Sequence, residues 1–208
     1  GFARRVAQYK RWSLLLNDLE RLLGMVDHVE RPVQFVFAGK AHPQDRTAKE
    51  ILQQLMSINH QSNWQRRAVF IEDYDQEVAR YLVHGVDVWM NVPRRPHEAS
   101  GTSGMKAAMN GVLNFSILDG WWIEGYNGTN GFAIGDQRDF AADPEIDAIE
   151  GESLYHMLEH EVIPAYYSGN GGIPLPWIAR MRDSIATLTP MFASDRMVTD
   201  YVAQIYSQ

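Results

Sequence analysis

The sequence predicts an α/β fold: a Rossmann-like parallel sheet with helices packed on both of its faces. Short apolar runs rich in β-branched and aromatic residues recur along the chain, and residues 32–39, Pro-Val-Gln-Phe-Val-Phe-Ala-Gly, are the clearest of them. Such a run, ended by glycine, is typical of a buried parallel strand. Segments with helical spacing separate these runs, and parallel strands need such crossovers, which then cover the sheet.

The individual elements follow in chain order. Residues 1–5 predict the end of a strand that begins upstream, so we expect the sequence to start inside a larger protein. In residues 6–23 apolar positions recur every three or four residues, which predicts a first helix. Further strands are predicted at residues 68–72, 86–92, 112–118 and 132–134, and further helices at 47–58, 76–84, 105–110, 153–167, 177–188 and 195–206. We expect a single domain over residues 1–208, with a terminal helical part from residue 150.

The composition argues against several classes of protein. The chain has 208 residues, is 45% hydrophobic and carries a formal net charge of −7, which disfavours a protein that coats nucleic acid or an anionic membrane. No apolar run approaches the roughly 20 residues of a membrane span, and we expect a cytoplasmic protein. The absence of cysteine excludes disulfides and thiolate chemistry, and the lysines available for amine chemistry are Lys10, Lys40, Lys49 and Lys106.

One glycine-rich segment lies between a predicted strand and a predicted helix: Glu98-Ala-Ser-Gly-Thr-Ser-Gly-Met-Lys106. Exposed backbone N–H groups and the helix dipole favour an anion at such a junction. Thr102 and Ser103 fall in the first turn, where their hydroxyls either cap the helix or bond a phosphate oxygen. Lys106, about one turn further on, is either a solvated charge or an amine that reaches the anion. The pattern predicts a phosphate cradle with a lysine above it.

This segment, extended to Asn110, resembles the pyridoxal phosphate signature of the α-glucan phosphorylases, the family that acts on glycogen, starch and maltodextrin. Every fixed position of the signature is present among these thirteen residues. Arg4-Arg-Val-Ala-Gln-Tyr-Lys10 is similar to the family's basic segment, and Ala38-Gly-Lys-Ala, Glu72-Asp-Tyr74 and Leu118-Asp-Gly have counterparts as well. The resemblance covers about residues 1–135, and more weakly the remainder. It implies the carboxyl-terminal lobe of a two-lobed glycosyltransferase architecture, called GT-B, whose amino-terminal lobe is absent here.

The resemblance implies a role for each matching residue. Lys106 is the covalent anchor of pyridoxal phosphate, and the other cofactor-binding residues are Arg4, Thr102, Ser103 and Tyr74. Arg5 and Lys10 hold orthophosphate and are the expected catalytic residues. The substrate-binding residues for glucose are Glu98, Ser100 and Gly101. The set is physically coherent, because two phosphates held side by side need several cations to offset their repulsion.

The implied activity is reversible phosphorolysis of an α-1,4-glucan. Orthophosphate attacks the anomeric carbon of the terminal glucose, and glucose 1-phosphate leaves with retention of configuration, while the cofactor phosphate relays a proton. The partners are therefore the glucan, orthophosphate, glucose 1-phosphate and the missing lobe of the parent chain. Without that lobe we expect the isolated chain to bind the cofactor weakly or not at all, and not to turn over. A homo-oligomeric parent stays open.

Two other functions remain alternatives. A nucleotide-sugar-dependent retaining glycosyltransferase of the same two-lobed architecture, like glycogen synthase, commonly carries a second glutamate eight positions after the first. That position, counted from Glu98, is Lys106 in this chain, which favours pyridoxal phosphate over a nucleotide. A non-catalytic glucan-binding module is the second alternative, but such a module has no need of a cofactor lysine.

Two further features have more than one interpretation. Trp121-Trp122 either stacks on a sugar ring or packs as core. His156 and His160 have the i, i+4 spacing of helical metal ligands, but no third ligand is evident in the sequence. We therefore predict no metal.

Overall fold

The structure is a computed structural model that describes residues 1–59, 67–135, 143–169 and 171–206. Its strands are β1 (Phe2–Ala3), β2 (Phe35–Ala38), β3 (Ala68–Ile71), β4 (Val88–Asn91), β5 (Leu113–Ile117) and β6 (Phe132–Ile134). Its α-helices are α1 (Leu19–Val26), α2 (Arg46–Asn59), α3 (Gln76–Gly85), α4 (Thr102–Met109), α5 (Trp121–Gly125), α6 (Asp143–Met157), α7 (Ile163–Tyr167), α8 (Leu175–Met191) and α9 (Ser194–Tyr201).

All the paired strands run parallel, which confirms the predicted α/β class. One group has the order β1-β2-β3 and the other β4-β5-β6. Two backbone hydrogen bonds join the groups at Gly1, which donates to the Val88 carbonyl at 2.7 Å and accepts from the Met90 N–H at 2.8 Å. The six parallel strands thus lie in the order 3-2-1-4-5-6. In this doubly wound arrangement the order in which successive strands are added to the sheet reverses between β1 and β4.

Alternate residues of each strand feed two different cores, one on each face of the sheet. Phe2, Phe37 and Met90 point to the larger core, which α1, α2 and α6 cover. Ala3, Ala38 and Trp89 point to the opposite face, where Leu82 of α3 and Ala107 of α4 pack against them. This alternation follows from the two-residue period of a strand. It places α3 and α4 side by side on one face.

The predicted first helix over residues 6–23 is wrong. The segment forms two short 3₁₀ turns, Gln8–Lys10 and Leu14–Leu16, before α1 begins at Leu19. Arg11 separates the turns in the left-handed conformation, with φ 47° and ψ 50°, which a continuous helix does not allow. Of the apolar stripe that the spacing predicted, Trp12 is fully buried, whereas Leu16 and Leu19 are only half-buried, and the buried leucines Leu14 and Leu15 lie off the stripe. The break turns Lys10 and Arg11 toward the loop after β4.

The remaining elements lie near their predicted positions, with two differences beyond β5. The segment after Gly120, for which the sequence analysis predicts no helix, contains the short helix α5. The helix predicted at 153–167 begins earlier, at Asp143, where α6 starts. It continues through a π-helical turn, Leu158–Val162, into α7. A similar π turn, Val202–Tyr206, extends α9. No helix within the described ranges is both long and apolar enough to cross a membrane.

The strand β5, which lies between β4 and β6 and is buried along its whole length, should contribute strongly to the stability of this sheet. Phe115 is completely buried in β5, whereas Val69 on β3 is 45% exposed. We expect Phe115→Ala to lower the free energy of unfolding by about 3–5 kcal/mol, through lost burial and the cavity it leaves. Val69→Ala should lower it by less than about 1 kcal/mol. Urea-induced unfolding of the two variants measures both values, and equal losses would contradict the assigned burial.

Candidate functional site

The predicted site residues come together at the carboxyl edge of the sheet. Arg4 and Arg5 directly follow β1, Tyr74 follows β3, and the loop that leads to Glu98 follows β4. In a parallel sheet these strand ends share one edge, and ligands of doubly wound folds bind there, near the point where the strand order reverses. The site therefore lies where the topology places ligand sites.

The centre of the site is one carboxylate oxygen shared by two cations. Glu98 Oε2 accepts a hydrogen bond from Arg4 Nη2 at 2.6 Å and another from Lys10 Nζ. All three side chains are at least nine-tenths buried. Lys10 Nζ also lies 4.5 Å from the centre of the Tyr9 ring. Burial strengthens these ion pairs, because little water is present to screen them.

Arg4 retains donor capacity beyond its bond to Glu98. Its Nε and Nη1 atoms are buried and have no hydrogen-bond partner within the described part of the chain. Burial lowers the pKa of the Arg4 guanidinium, and the neighbouring Glu98 opposes that shift. A guanidinium has five N–H donors in a planar fork that matches phosphate oxygens. The two unpaired nitrogens can therefore bond an anion while Nη2 stays with Glu98.

Lys106 lies in a groove of about 490 Å³ between α3 and α4, which Tyr74 and Ser103 also line. The Lys106 side chain is exposed to this groove, whereas Tyr74 is half-buried. Burial raises the pKa of the Tyr74 phenol, and the positive charge of Arg4 opposes that shift. This electrostatic coupling links the groove to the buried ion pairs. The structure thus arranges the predicted residues as two neighbouring groups.

The amino-terminal end of α4 lies beside the groove without a side-chain cap. Gly101 precedes the helix with a positive φ of 90°, and no side chain bonds the first-turn N–H groups. Of the two roles that the sequence left open for Thr102 and Ser103, the structure does not show capping: Thr102 is exposed, and Ser103 Oγ accepts a hydrogen bond from Trp89 Nε1 at 3.2 Å. Uncapped N–H groups at a helix start bind anions readily.

Asp119, at the carboxyl end of β5, holds the loop that carries Glu98. Its Oδ2 accepts from the Glu98 N–H and its Oδ1 from the Gly120 N–H, each at 2.9 Å. The Ser100 carbonyl accepts from the Trp121 N–H at 2.8 Å, which ties the loop to α5 a second time. In the sequence analysis Asp119 appears only within the tripeptide Leu118-Asp-Gly, which resembles a family segment. Its place at the end of a buried parallel strand is the signal that would have singled it out.

Arg5 stands apart from the buried group. Its side chain is exposed, and within the described ranges it makes no hydrogen bond or ion pair. Arg5 is thus free to meet a ligand from the open side. Ser100 is half-buried beside Gly101, which opens α4.

The two tryptophans are core residues. Trp121 and Trp122 are 3% and 0% exposed, and they pack with Leu188 of α8 and Phe192. The packing interpretation is therefore the one that the structure supports, and neither ring presents a face to a sugar. The rings of His156 and His160 lie 4.6 Å apart between centres and are tilted by 53°, and the described residues contain no group of three or more potential metal ligands.

The fold and the site together define a class: a Rossmann-like α/β protein with buried cations, a free arginine and an uncapped helix start at one sheet edge. Such an edge is suited to phosphorylated ligands. A family model described as Carbohydrate phosphorylase matches residues 3–140. The chain belongs to the carbohydrate phosphorylase family.

The similarity to individual relatives extends over the whole chain. A glycogen phosphorylase of Aquifex aeolicus (strain VF5) is 50% identical over 100% of this chain and 30% of the relative. A maltodextrin phosphorylase of Thermococcus litoralis is also 50% identical, over 100% of this chain and 24% of the relative. A glycogen phosphorylase of Mycobacterium tuberculosis (strain ATCC 25618 / H37Rv) is 43% identical. The chain therefore spans between a quarter and a third of these relatives' lengths.

Gly120 should be essential to the shape of the Glu98 loop. Its φ is +54°, and an added Cβ would overlap the Ser100 carbonyl oxygen and lie 2.9 Å from the Glu98 carbonyl oxygen. We expect Gly120→Ala to lower the free energy of unfolding by about 2 kcal/mol or more, because both backbone strain and collision oppose it. We also expect it to weaken the binding of inorganic phosphate. Thermal unfolding and calorimetric titration measure the two effects.

Gly128→Ala is the matched control for this substitution. Gly128 also has a positive φ, +93°, but an added Cβ there meets nothing within 4 Å. The control should show only the cost of backbone strain, about 1 kcal/mol, with unchanged phosphate binding. Equal effects of the two substitutions would show that collision with the Glu98 loop is unimportant.

Proposed function

We propose that this chain is the pyridoxal phosphate-carrying, carboxyl-terminal lobe of an α-1,4-glucan phosphorylase. Two observations support the proposal: Arg4, Lys10 and Glu98 form a buried group, and Tyr74, which interacts electrostatically with Arg4, lines the same groove as Lys106. Family membership and 50% identity to a glycogen and a maltodextrin phosphorylase support it. We call the full-length protein to which the chain would belong the parent protein. An amino-terminal lobe would complete its active site.

The residues present fit pyridoxal phosphate, an aldehyde that carries a phosphate group. Lys106 offers a primary amine exposed to the groove, and Tyr74 offers an aromatic ring beside it. The unpaired Nε and Nη1 of Arg4 and the open start of α4, with Thr102 and Ser103, suit the phosphate. When bound, the cofactor supplies a phosphate group that exchanges a proton with the substrate orthophosphate. Lys106 serves as its tether.

Orthophosphate would bind between Lys10 and Arg5. Lys10 is buried and already positioned by Glu98, whereas Arg5 is exposed and can close on the ligand. Their positive charges offset the negative charge of two adjacent phosphates and hold orthophosphate near the anomeric carbon. The same charges keep the reacting phosphate oriented as the glycosidic bond breaks. We assign both residues to catalysis for this reason.

Glu98 would bind the glucose unit at the reacting end of the glucan. Its Oε2 is engaged by Arg4 and Lys10, and the carboxylate can accept hydrogen bonds from glucose hydroxyls through the lone pairs that remain. The backbone N–H groups of Ser100 and Gly101 lie on the same loop. The reaction transfers this glucose to orthophosphate, and glucose 1-phosphate and a shortened glucan leave.

A nucleotide-sugar glycosyltransferase is the competing proposal. That chemistry uses a carboxylate for the nucleotide ribose at the position of Lys106, and a lysine there cannot accept the ribose hydroxyl bonds. The charge at this position therefore favours the phosphorylase. A pure glucan-binding module would not need the buried cations. The cytoplasmic location and the glucan partner remain predictions of the same proposal.

Lys106→Ala tests the cofactor anchor. In the parent protein we expect the substitution to abolish orthophosphate-dependent release of glucose 1-phosphate and the absorbance of bound pyridoxal phosphate, because the groove loses its only amine tether among the residues that line it. Lys49→Ala, an exposed lysine on α2, is the control and should leave both signals unchanged. Activity that survives without cofactor would refute the proposal, and turnover of a nucleotide sugar would favour the competitor.

Glu98→Gln separates two effects of the Glu98 carboxylate: its competition with orthophosphate for Lys10 and Arg4, and its contribution to the turnover number. Without its charge, Lys10 and Arg4 are freed for an anion, so orthophosphate should bind about fivefold more tightly to the parent protein. The turnover number should fall about 10- to 100-fold, because hydrogen bonds to a charged group contribute about 1.5–3 kcal/mol.

Calorimetric titration and initial rates measure these two quantities, with Glu124→Gln on the exposed side of α5 as control. Weaker binding of orthophosphate in Glu98→Gln would contradict the competition between Glu98 and the anion.

A further inference from the structure

The loops that carry Lys10 and Glu98 are joined on the side away from the groove. The Arg94 N–H donates to the Tyr9 carbonyl at 2.7 Å. Arg11, adjacent to Lys10, donates from Nε to the Val92 carbonyl at 3.0 Å and from Nη2 to the Pro93 carbonyl at 2.8 Å. Three bonds thus connect the turn after β1 with the loop after β4. The left-handed backbone of Arg11 is what directs its side chain there.

A single carboxylate of α6 completes the joint. Asp147 Oδ1 accepts from Arg11 Nη1 at 2.9 Å, and its Oδ2 accepts from Arg94 Nη2 at 2.7 Å. Each loop contributes one arginine, so Asp147 bridges the loops with one oxygen for each. Glu150, one turn further along α6, lies 2.5 Å from Arg11 Nη2. The four side chains form what we call the Asp147 network: Arg11, Arg94, Asp147 and Glu150.

Burial makes this network rigid. The side chains of Arg11 and Glu150 are 4% and 2% exposed, and that of Asp147 is 33% exposed. Each cation of the network has a carboxylate partner within it, and Arg94 also pairs with the exposed Asp143 at the start of α6, at 3.2 Å. Burial raises the pKa of Glu150, and the charge of Arg11 opposes the shift. Arg11 adjoins Lys10, and Arg94 precedes Glu98 by one short turn. A displacement of Arg11 or Arg94 should therefore also displace the ion pair between Lys10 and Glu98.

We infer that Asp147 is a positioning residue for the reaction of the proposed function. It sets the distance between Lys10 and Glu98 by holding Arg11 and Arg94, and it touches neither orthophosphate nor glucose. This inference rests on the proposed function for its substrate, but its first readout, orthophosphate binding, does not require turnover. A displacement of about 1 Å in a reacting group can lower a rate about 100-fold.

The test uses the parent protein with its cofactor bound. Asp147 is partly exposed, so Asp147→Ala should leave the protein folded, and calorimetry then gives the dissociation constant of orthophosphate. We expect it to rise about tenfold, because Lys10 is no longer held in place. Asp147→Asn, which keeps one acceptor oxygen, should give an intermediate value. Glu152→Ala is the matched control, since the exposed Glu152 lies on the same helix and, among the described residues, pairs with Arg21 and with neither Arg11 nor Arg94.

A double substitution separates positioning from general destabilisation. In a Lys10→Met background, Asp147→Ala should change the dissociation constant by less than about twofold, because the residue through which it acts is gone. Full additivity of the two substitutions would overturn the inference, as would a wild-type value in Asp147→Ala. A parent protein that binds orthophosphate but releases no glucose 1-phosphate would instead refute the proposed function. Binding data would still decide the positioning role.

Discussion

The ion pair that Glu98 Oε2 makes with both Arg4 and Lys10 is the constraint on which the rest of the site depends. Buried charges are stable only when each has a partner and when the partners cannot drift apart. Arg4 and Glu98 are 94 positions apart in the chain, so local structure cannot keep them together. The parallel sheet does, because it ends β1 and β4 side by side at one edge. The doubly wound order is therefore an electrostatic requirement of this site as well as a packing solution.

The backbone around this pair is held from both sides. Asp119 accepts two N–H groups at one end of the Glu98 loop, and Arg11 donates to two carbonyls at its beginning. These bonds satisfy backbone groups that would otherwise be buried without partners. They also leave the Glu98 loop few alternative conformations. A loop fixed in this way can present a carboxylate to buried cations without losing the ion pair to thermal motion.

The sequence predicted most of the sheet and much of the site, but for different reasons. The strands from Phe35 onward were predictable because a short apolar run ended by a loop is a local signal. The helix over residues 6–23 was not, because the left-handed Arg11 divides the segment into two 3₁₀ turns, which bury Leu14 and Leu15 rather than the predicted stripe. Lys106, Arg4, Lys10 and Glu98 entered through a resemblance. Asp147 and Glu150 act through contacts with Arg11 that are distant in sequence, so no local pattern marks them, whereas the position of Asp119 at the end of a buried strand is a local signal.

The structural unit that supports the site is longer than the segment that the family model matches. That match ends at residue 140, whereas Asp147 and Glu150 lie on α6, beyond it. Both carboxylates contact Arg11, and Asp147 also contacts Arg94, so α6 bears directly on the two loops that form the ion pair. Arg11 and Arg94 find their carboxylate partners on α6, which leaves Arg4 and Lys10 as the cations that pair with Glu98 and can bind an incoming anion. The separation of Arg11 from the anion site has a physical consequence. If Arg11 also faced the site, a bound anion would compete with Asp147 for the Arg11 guanidinium. Anion binding would then weaken the contacts that position Lys10.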